Sequence, residues 1–351
     1  MAVSETPGTR TTTTPVVVVR RVRDVVPGLL AALAVAGVAT AAGAEVPVVG
    51  GPVLGIVIGL LLATVLAPGP RWRPGFAVAA RPVLQASIVV LGATLSLTQV
   101  AAVGLSSLPV MLGTLVVALG GAWLLGRLLG IERDTTLLVG VGTAICGASA
   151  IAATQSVLRA RESTVAYAIG TIFVFNIAAV LAFPPIGHLL GLDPHAFGLW
   201  AGTAINDTSS VVAAGYAYGG DAGPYSVVVK LTRSLMIIPV VMAVAFLVAR
   251  RGGAAPAPGR RPLPWTRLVP LFLVGFVVAS ALTTVGVVPT SWHPAVTAVG
   301  TFLITTALAG IGLSMRLADL RRAGVRPLLL GGCLWVLVAA SSLGIQAIAV
   351  S

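Results

Sequence analysis

Charged residues are scarce in this chain: they make up 9% of 351 residues, against about 25% in a soluble domain. Acidic side chains are scarcer still, with 10 Asp and Glu in total. Lysine occurs once, at Lys230. With 57% hydrophobic residues and a mean hydropathy of +1.03, this dearth excludes an ordinary water-soluble domain. There are only two cysteines, Cys146 and Cys333, both in apolar segments without metal-ligand or redox spacing, so neither a metal site nor a disulfide framework is expected. Cys333 reads as a small buried hydrophobe, whereas Cys146 lies inside a polar motif. No Ser-His-Asp set, phosphate-binding loop or dinucleotide fingerprint stands at a credible place, so an enzyme and a nucleotide or other cofactor are not expected. Aromatics, at 5%, are not interleaved with a basic groove, and the net charge of +12 therefore does not indicate nucleic acid.

What the chain has in abundance is apolar runs. They fall at about 27–44, 49–66, 82–97, 108–128, 137–154, 165–183, 197–217, 226–249, 268–285, 296–313 and 327–348. Each approaches the roughly 20 residues that cross a bilayer core as helix. The lack of polar/apolar alternation excludes a transmembrane barrel. The expectation is an all-α integral membrane protein with about 9–11 transmembrane segments. Residues 1–26 read as a polar and basic tail, 27–351 as one transmembrane domain, and 250–267 as a basic loop. Residues 42–45 offer a weak cleavage-like site, but the spans that follow favour an uncleaved first helix.

Within the apolar background, one sequence is out of place: Gly202-Thr203-Ala204-Ile205-Asn206-Asp207-Thr208-Ser209-Ser210. Sixty residues upstream, Gly142-Thr143-Ala144-Ile145-Cys146-Gly147-Ala148-Ser149 repeats its start and its serine. Gly142, Gly147 and Gly202 are expected to permit the helix breaks and close backbone approach, Gly142 and Gly202 marking the breaks and Gly147 being also a candidate substrate contact. Amino termini of the half-helices beyond the breaks would then point free N–H groups at an anion. Thr143, Cys146, Ser149, Thr203, Asn206, Thr208 and Ser209 are candidate substrate contacts around that point. Taken alone, hydroxyls such as Thr143 or Ser210 are better explained by small-residue helix packing.

An aspartate at mid-membrane costs on the order of 3 kcal/mol on insertion scales, so Asp207 is expected to have a partner and a purpose. Lys230 and Arg233, three residues apart on the next segment, share a helical face. Two readings stand. Asp207 pairs with Lys230 or Arg233 as a structural ion pair, or the two cations bind an anionic substrate while Asp207 takes up a proton or a coupling cation. Asn176 is a buried amide suited equally to helix contact or substrate. His188, His195 and His293 read as interfacial and have no metal-ligand companions.

The arginines outside the motifs cluster in short connections, as the positive-inside rule requires of cytoplasmic loops, and place the amino terminus inside. Full crossing of 137–154 would put Arg159 and Arg161 outside. Opposed re-entrant hairpins over 137–158 and 197–217 keep them inside and bring the two motifs in from opposite faces, which is the preferred reading. Leu91 to Ser96 echoes Ala309 to Ser314, and Pro109 to Gly113 echoes Pro327 to Gly331. Echoes in antiparallel segments suggest inverted repeats, a feature of secondary transporters.

In the blocks 91–97, 142–154, 167–176, 183–192, 197–215 and 228–239 the chain resembles the YeiH-like bacterial membrane proteins, often labelled sulfate exporters. That family is itself similar to the sodium/proton antiporter and bile-acid symporter group. The resemblance implies inverted repeats, interrupted helices, an inner-membrane location and a homodimer. One departure stands out: the family places histidine where this chain has Asn206, which implies either that a proton shuttle is lacking or that coupling runs through Asp207 alone. The function expected is secondary-active export of a small oxyanion or sulfonate, with H+ or Na+ as coupling ion. A cation/proton antiporter centred on Asp207, or a channel or non-transporting membrane scaffold, are the alternatives.

Overall fold

The computed structural model describes residues 15–45, 50–158, 160–250, 271–314 and 325–350. The segment 1–14, most of the expected basic loop (251–267), and Arg159, Arg316, Arg321 and Arg322 lie outside them. The described residues are helical throughout, with no strand among them. The chain runs through α1 (Pro15–Glu45), α2 (Gly50–Leu66), α3 (Arg73–Val78), α4 (Leu84–Gly92), α5 (Leu97–Leu128), α6 (Arg133–Ala144), α7 (Ala148–Leu158) and α8 (Glu162–Leu189). It continues through α9 (Pro194–Ala204), α10 (Thr208–Tyr218), α11 (Ala222–Ser234), α12 (Ile237–Arg250), α13 (Leu271–Thr284), α14 (His293–Ser314) and α15 (Val325–Val350). Seven of the continuous helical stretches are long and apolar enough to cross a membrane, and α2 and α13 are shorter apolar helices. This is a multi-pass, all-α membrane protein.

Pro82 explains one irregularity. The stretch Ala79–Val83 between α3 and α4 is a single π-turn, because proline removes an amide from the ladder and the helix widens to accommodate it. A start signal elsewhere is equally local. Ser96 caps α5 by accepting from the Gln99 amide at 3.2 Å, while the Gln99 side chain accepts from the Ser96 amide at 3.0 Å.

The helices form two bundles. One comprises α1–α4, α13 and α14; the other comprises α5–α12 and α15. Lipid tails are as apolar as leucine, so helix association in a bilayer depends on close packing of small residues. The α2–α14 contact shows this: a Cβ at Gly59 would fall 2.6 Å from the Ala309 carbonyl oxygen. The bundles meet where α10 rests on α2 and α14 and where α13 rests on α5. An apolar cluster including Ile56, Leu91, Val212, Val228 and Ile304 fills that seam.

The chain path fixes which ends share a face. Helix α8, with 28 residues, is about 42 Å long and reaches from one side of the bilayer core to the other. Arg161, just before it, pairs with Glu132, just before α6. Both ends of α6–α7 therefore open on one face. Beyond α8, the Tyr218 hydroxyl at the end of α10 donates to the Leu192 carbonyl just before α9, and the Phe197 and Tyr218 rings stack 3.8 Å apart. Both ends of α9–α10 therefore open on the other face. These are two opposed re-entrant hairpins. Helix ends carrying Arg71, Arg73, Arg127, Arg133, Arg250 and Arg326 lie on the first face. The second face carries Glu45, Asp193 and Asp221 and, among the described residues, no lysine or arginine.

Candidate functional site

The first hairpin turns at Ile145, Cys146 and Gly147 and the second at Ile205, Asn206 and Asp207. Gly147 lies in the first turn, whereas Gly142 and Gly202 lie inside α6 and α9, three residues before the turns begin. Their lack of a side chain serves packing instead. A Cβ at Gly142 would meet Ile151 at 2.9 Å, and one at Gly202 would meet Val229 at 2.7 Å. Gly147 is the residue that makes the turn, at φ +64°, and its amide closes back on the Gly142 carbonyl at 2.9 Å. A Cβ added there would lie 3.9 Å from Asn206, so the two tips meet closely.

A helix that stops inside a membrane leaves its last carbonyls without intrahelical donors. Two cations from α11 supply them. Lys230 Nζ donates to the Ile145 carbonyl at 2.7 Å and to the Ile205 carbonyl at 2.8 Å. These are the fourth residues of the two Gly-Thr-Ala-Ile motifs, so a single ammonium joins equivalent points of the two hairpins. One turn on, Arg233 Nε donates to the Ala144 carbonyl at 2.8 Å. Both side chains are fully buried. The carboxyl-terminal ends of α6 and α9 carry partial negative charge, which suits cations placed there. Arg233 is left incomplete: its Nη1 and Nη2 are buried and have no partner among the described residues. The Thr143 hydroxyl and the Asn206 Oδ1, also buried, are likewise unpaired.

Asp207 does not form the expected ion pair. The one salt bridge among the described residues joins Arg161 and Glu132. Asp207 instead caps α10: its Oδ2 accepts from the Ser209 amide at 3.0 Å, from the Ser210 amide at 3.3 Å and from the Ser209 hydroxyl. An aspartate satisfies a helix start better through its own helix amides than through a cation beyond ion-pair distance. The Asp207 amide donates to Asn176 Oδ1 at 3.3 Å, so Asn176 of α8 anchors the second tip. Asp207, Thr208, Ser209 and Ser210 are half-buried.

The remaining candidates separate. Cys146 is buried at the first tip, whereas Ser149, in the first turn of α7, is exposed. Thr203 turns away from the tips to share a 2.7 Å hydrogen bond with Ser342 of α15. His188 stacks on Tyr218 at 4.1 Å near the acidic face. Ser342 was not expected from the sequence. The only signal for it is a polar residue in a long apolar run, which many membrane helices carry without function.

Two opposed hairpins whose tips meet at buried cations define a class of polytopic membrane protein with a polar centre at mid-bilayer. The chain belongs to the YeiH-like family described as conserved hypothetical protein 698, whose profile matches residues 27–331. It is 38% identical over 328 residues to a UPF0324 membrane protein of Streptococcus pyogenes, covering 91% of this chain and 96% of that one. A UPF0324 membrane protein of Fusobacterium nucleatum is 36% identical over 322 residues, covering 86% and 92%. A third, from Streptococcus agalactiae, is 35% identical over 336 residues, covering 93% and 98%.

Proposed function

We propose that the protein is a secondary transporter, not an enzyme, that exports a small oxyanion or sulfonate by alternating access around the hairpin tips. The observation that carries this reading is the unpartnered end of Arg233. Two cations are fully buried at the tips, no ion pair satisfies them among the described residues, and the guanidinium edge that would take two oxyanion oxygens is vacant of protein acceptors. A protein that used Arg233 for structure alone would be expected to satisfy those nitrogens, since each buried unpaired donor costs about 1–3 kcal/mol. The α7 and α10 amino termini face the same centre and add partial positive charge.

Asp207 is the coupling residue in this reading. It is half-buried and placed beside the cations, so H+ or Na+ binding there changes the charge of the centre. The motif pair is taken as part of an inverted repeat, because Lys230 contacts equivalent carbonyls of hairpins that enter from opposite faces. The arginine-bearing face is assigned to the cytoplasm of a bacterial inner membrane, which puts the amino terminus inside. One observation favours a second reading, a cation/proton antiporter centred on Asp207. Lys230 spends two of its three donors on backbone carbonyls and so resembles a brace.

Reconstitution into liposomes separates the two. Sulfate, sulfite and taurine are each loaded with and without a pH or sodium gradient. The exporter reading requires saturable anion flux that is lost in Arg233→Ala. Gradient-driven cation flux with no anion present overturns it in favour of the antiporter.

A further inference from the structure

On the acidic face, at the seam between the bundles, lies a cavity of about 660 Å³. Leu91, Thr297 and Thr301 of one bundle line one side, and Tyr216, Val228 and Tyr225 of the other line the opposite side. It is separate from the hairpin tips. Val228 faces the cavity, whereas Lys230, two residues on along α11, turns the other way to reach the tips. Among the described residues, no lysine or arginine borders it, and its one carboxylate is Asp221, with His195 nearby.

Three features indicate what would bind. Asp221 stands at the amino end of α11 but makes no capping hydrogen bond, and no ion pair engages it among the described residues. Its carboxylate is therefore available. The His195 and Tyr225 rings lie 4.9 Å apart and present aromatic surface beside it. Tyr216 lines the same cavity and adds further aromatic surface to it. A carboxylate beside tyrosine faces is the environment that attracts an organic cation, through direct charge and through the ring quadrupole. It repels an oxyanion. The volume falls within the range of small-molecule sites, roughly 300–1,000 Å³.

We propose that this cavity is a second binding site, open to the acidic face, for a small organic ammonium ion. The inference does not rest on the transport reading, because neither Arg233 nor the hairpin tips contribute to it. The test is calorimetric titration of the purified full-length protein in detergent with benzylammonium, and with benzoate and benzyl alcohol as anionic and neutral counterparts. Saturable binding of benzylammonium alone is expected, weakened about tenfold in Asp221→Asn, which corresponds to roughly 1.4 kcal/mol. Tyr225→Leu is expected to weaken it further and Arg233→Ala to leave it unchanged. Both cavity variants are checked for an unaltered melting profile. Equal binding of the three probes, no saturable binding, or an affinity indifferent to Asp221→Asn overturns the proposal, as does loss of binding in Arg233→Ala.

Discussion

Arg161 Nη2 lies 2.8 and 2.9 Å from the two carboxylate oxygens of Glu132, although the two stand 29 positions apart in the chain. The pair is exposed, so its own stabilisation is small, but its position reports the path of the chain. A segment that crossed the membrane would put its ends about 30 Å apart. Single cysteines at Arg161 and Asp221, in a Cys146→Ser, Cys333→Ser background, should therefore label from opposite sides of the membrane. Arg161→Cys should share its side with Arg73→Cys. Labelling of Arg161→Cys from the same side as Asp221→Cys means that α6–α7 crosses, and the opposed hairpins are then wrong.

Asp207 offers a way to separate structure from coupling. Asparagine caps a helix about as well as aspartate, whereas alanine costs typically about 1 kcal/mol. Asp207→Asn should melt within a few degrees of the parent, and Asp207→Ala measurably lower. Flux in Asp207→Asn should lose its dependence on the imposed pH or sodium gradient. If gradient dependence survives in Asp207→Asn, the coupling ion is carried elsewhere.

The sequence displayed the membrane spans and the two motifs because each has a local cause. Long apolar runs record the bilayer thickness, and glycines with hydroxyl residues record where a helix is weakened. The partner of Asp207 was not legible. Lys230 and Asp207 are oppositely charged and share the membrane, which suggests an ion pair. What decided otherwise was local geometry: α10 begins at Thr208, so Asp207 meets its own helix amides first, while the ends of α6 and α9 present carbonyls to Lys230. The break positions were displaced for a similar reason. Glycine permits a turn but does not require one, and Gly142 and Gly202 are used for close packing.

Gly147 tests that distinction. Alanine there must adopt φ near +64° and also place its Cβ 3.1 Å from Ile172. Gly130, at φ +60°, has open space around it and carries the backbone cost alone. Gly130→Ala should cost about 1 kcal/mol. Gly147→Ala should cost more, by the adjustment of Ile172, and both are read from denaturation in detergent. Equal effects would show that the first tip tolerates a side chain and is packed less tightly than described.

Lys230 and Arg233 should fail in different ways, although they sit one turn apart and bear the same charge. Lys230 holds both tips, and replacing it with methionine leaves the Ile145 and Ile205 carbonyls without their donor. With each buried unpaired group costing about 1–3 kcal/mol, Lys230→Met should destabilise the protein by roughly 2–6 kcal/mol. Arg233 gives only Nε to the fold and keeps its two terminal nitrogens free. Lysine at 233 retains the charge but presents no planar fork, so it should melt close to the parent and yet lower oxyanion flux by about tenfold or more. Melting curves and flux measured on the same preparations give the comparison. The division of labour fails if Lys230→Met melts like the parent, since a brace cannot be removed without cost. It fails equally if Arg233→Lys transports at the parental rate, since the vacant guanidinium edge would then be irrelevant to the substrate.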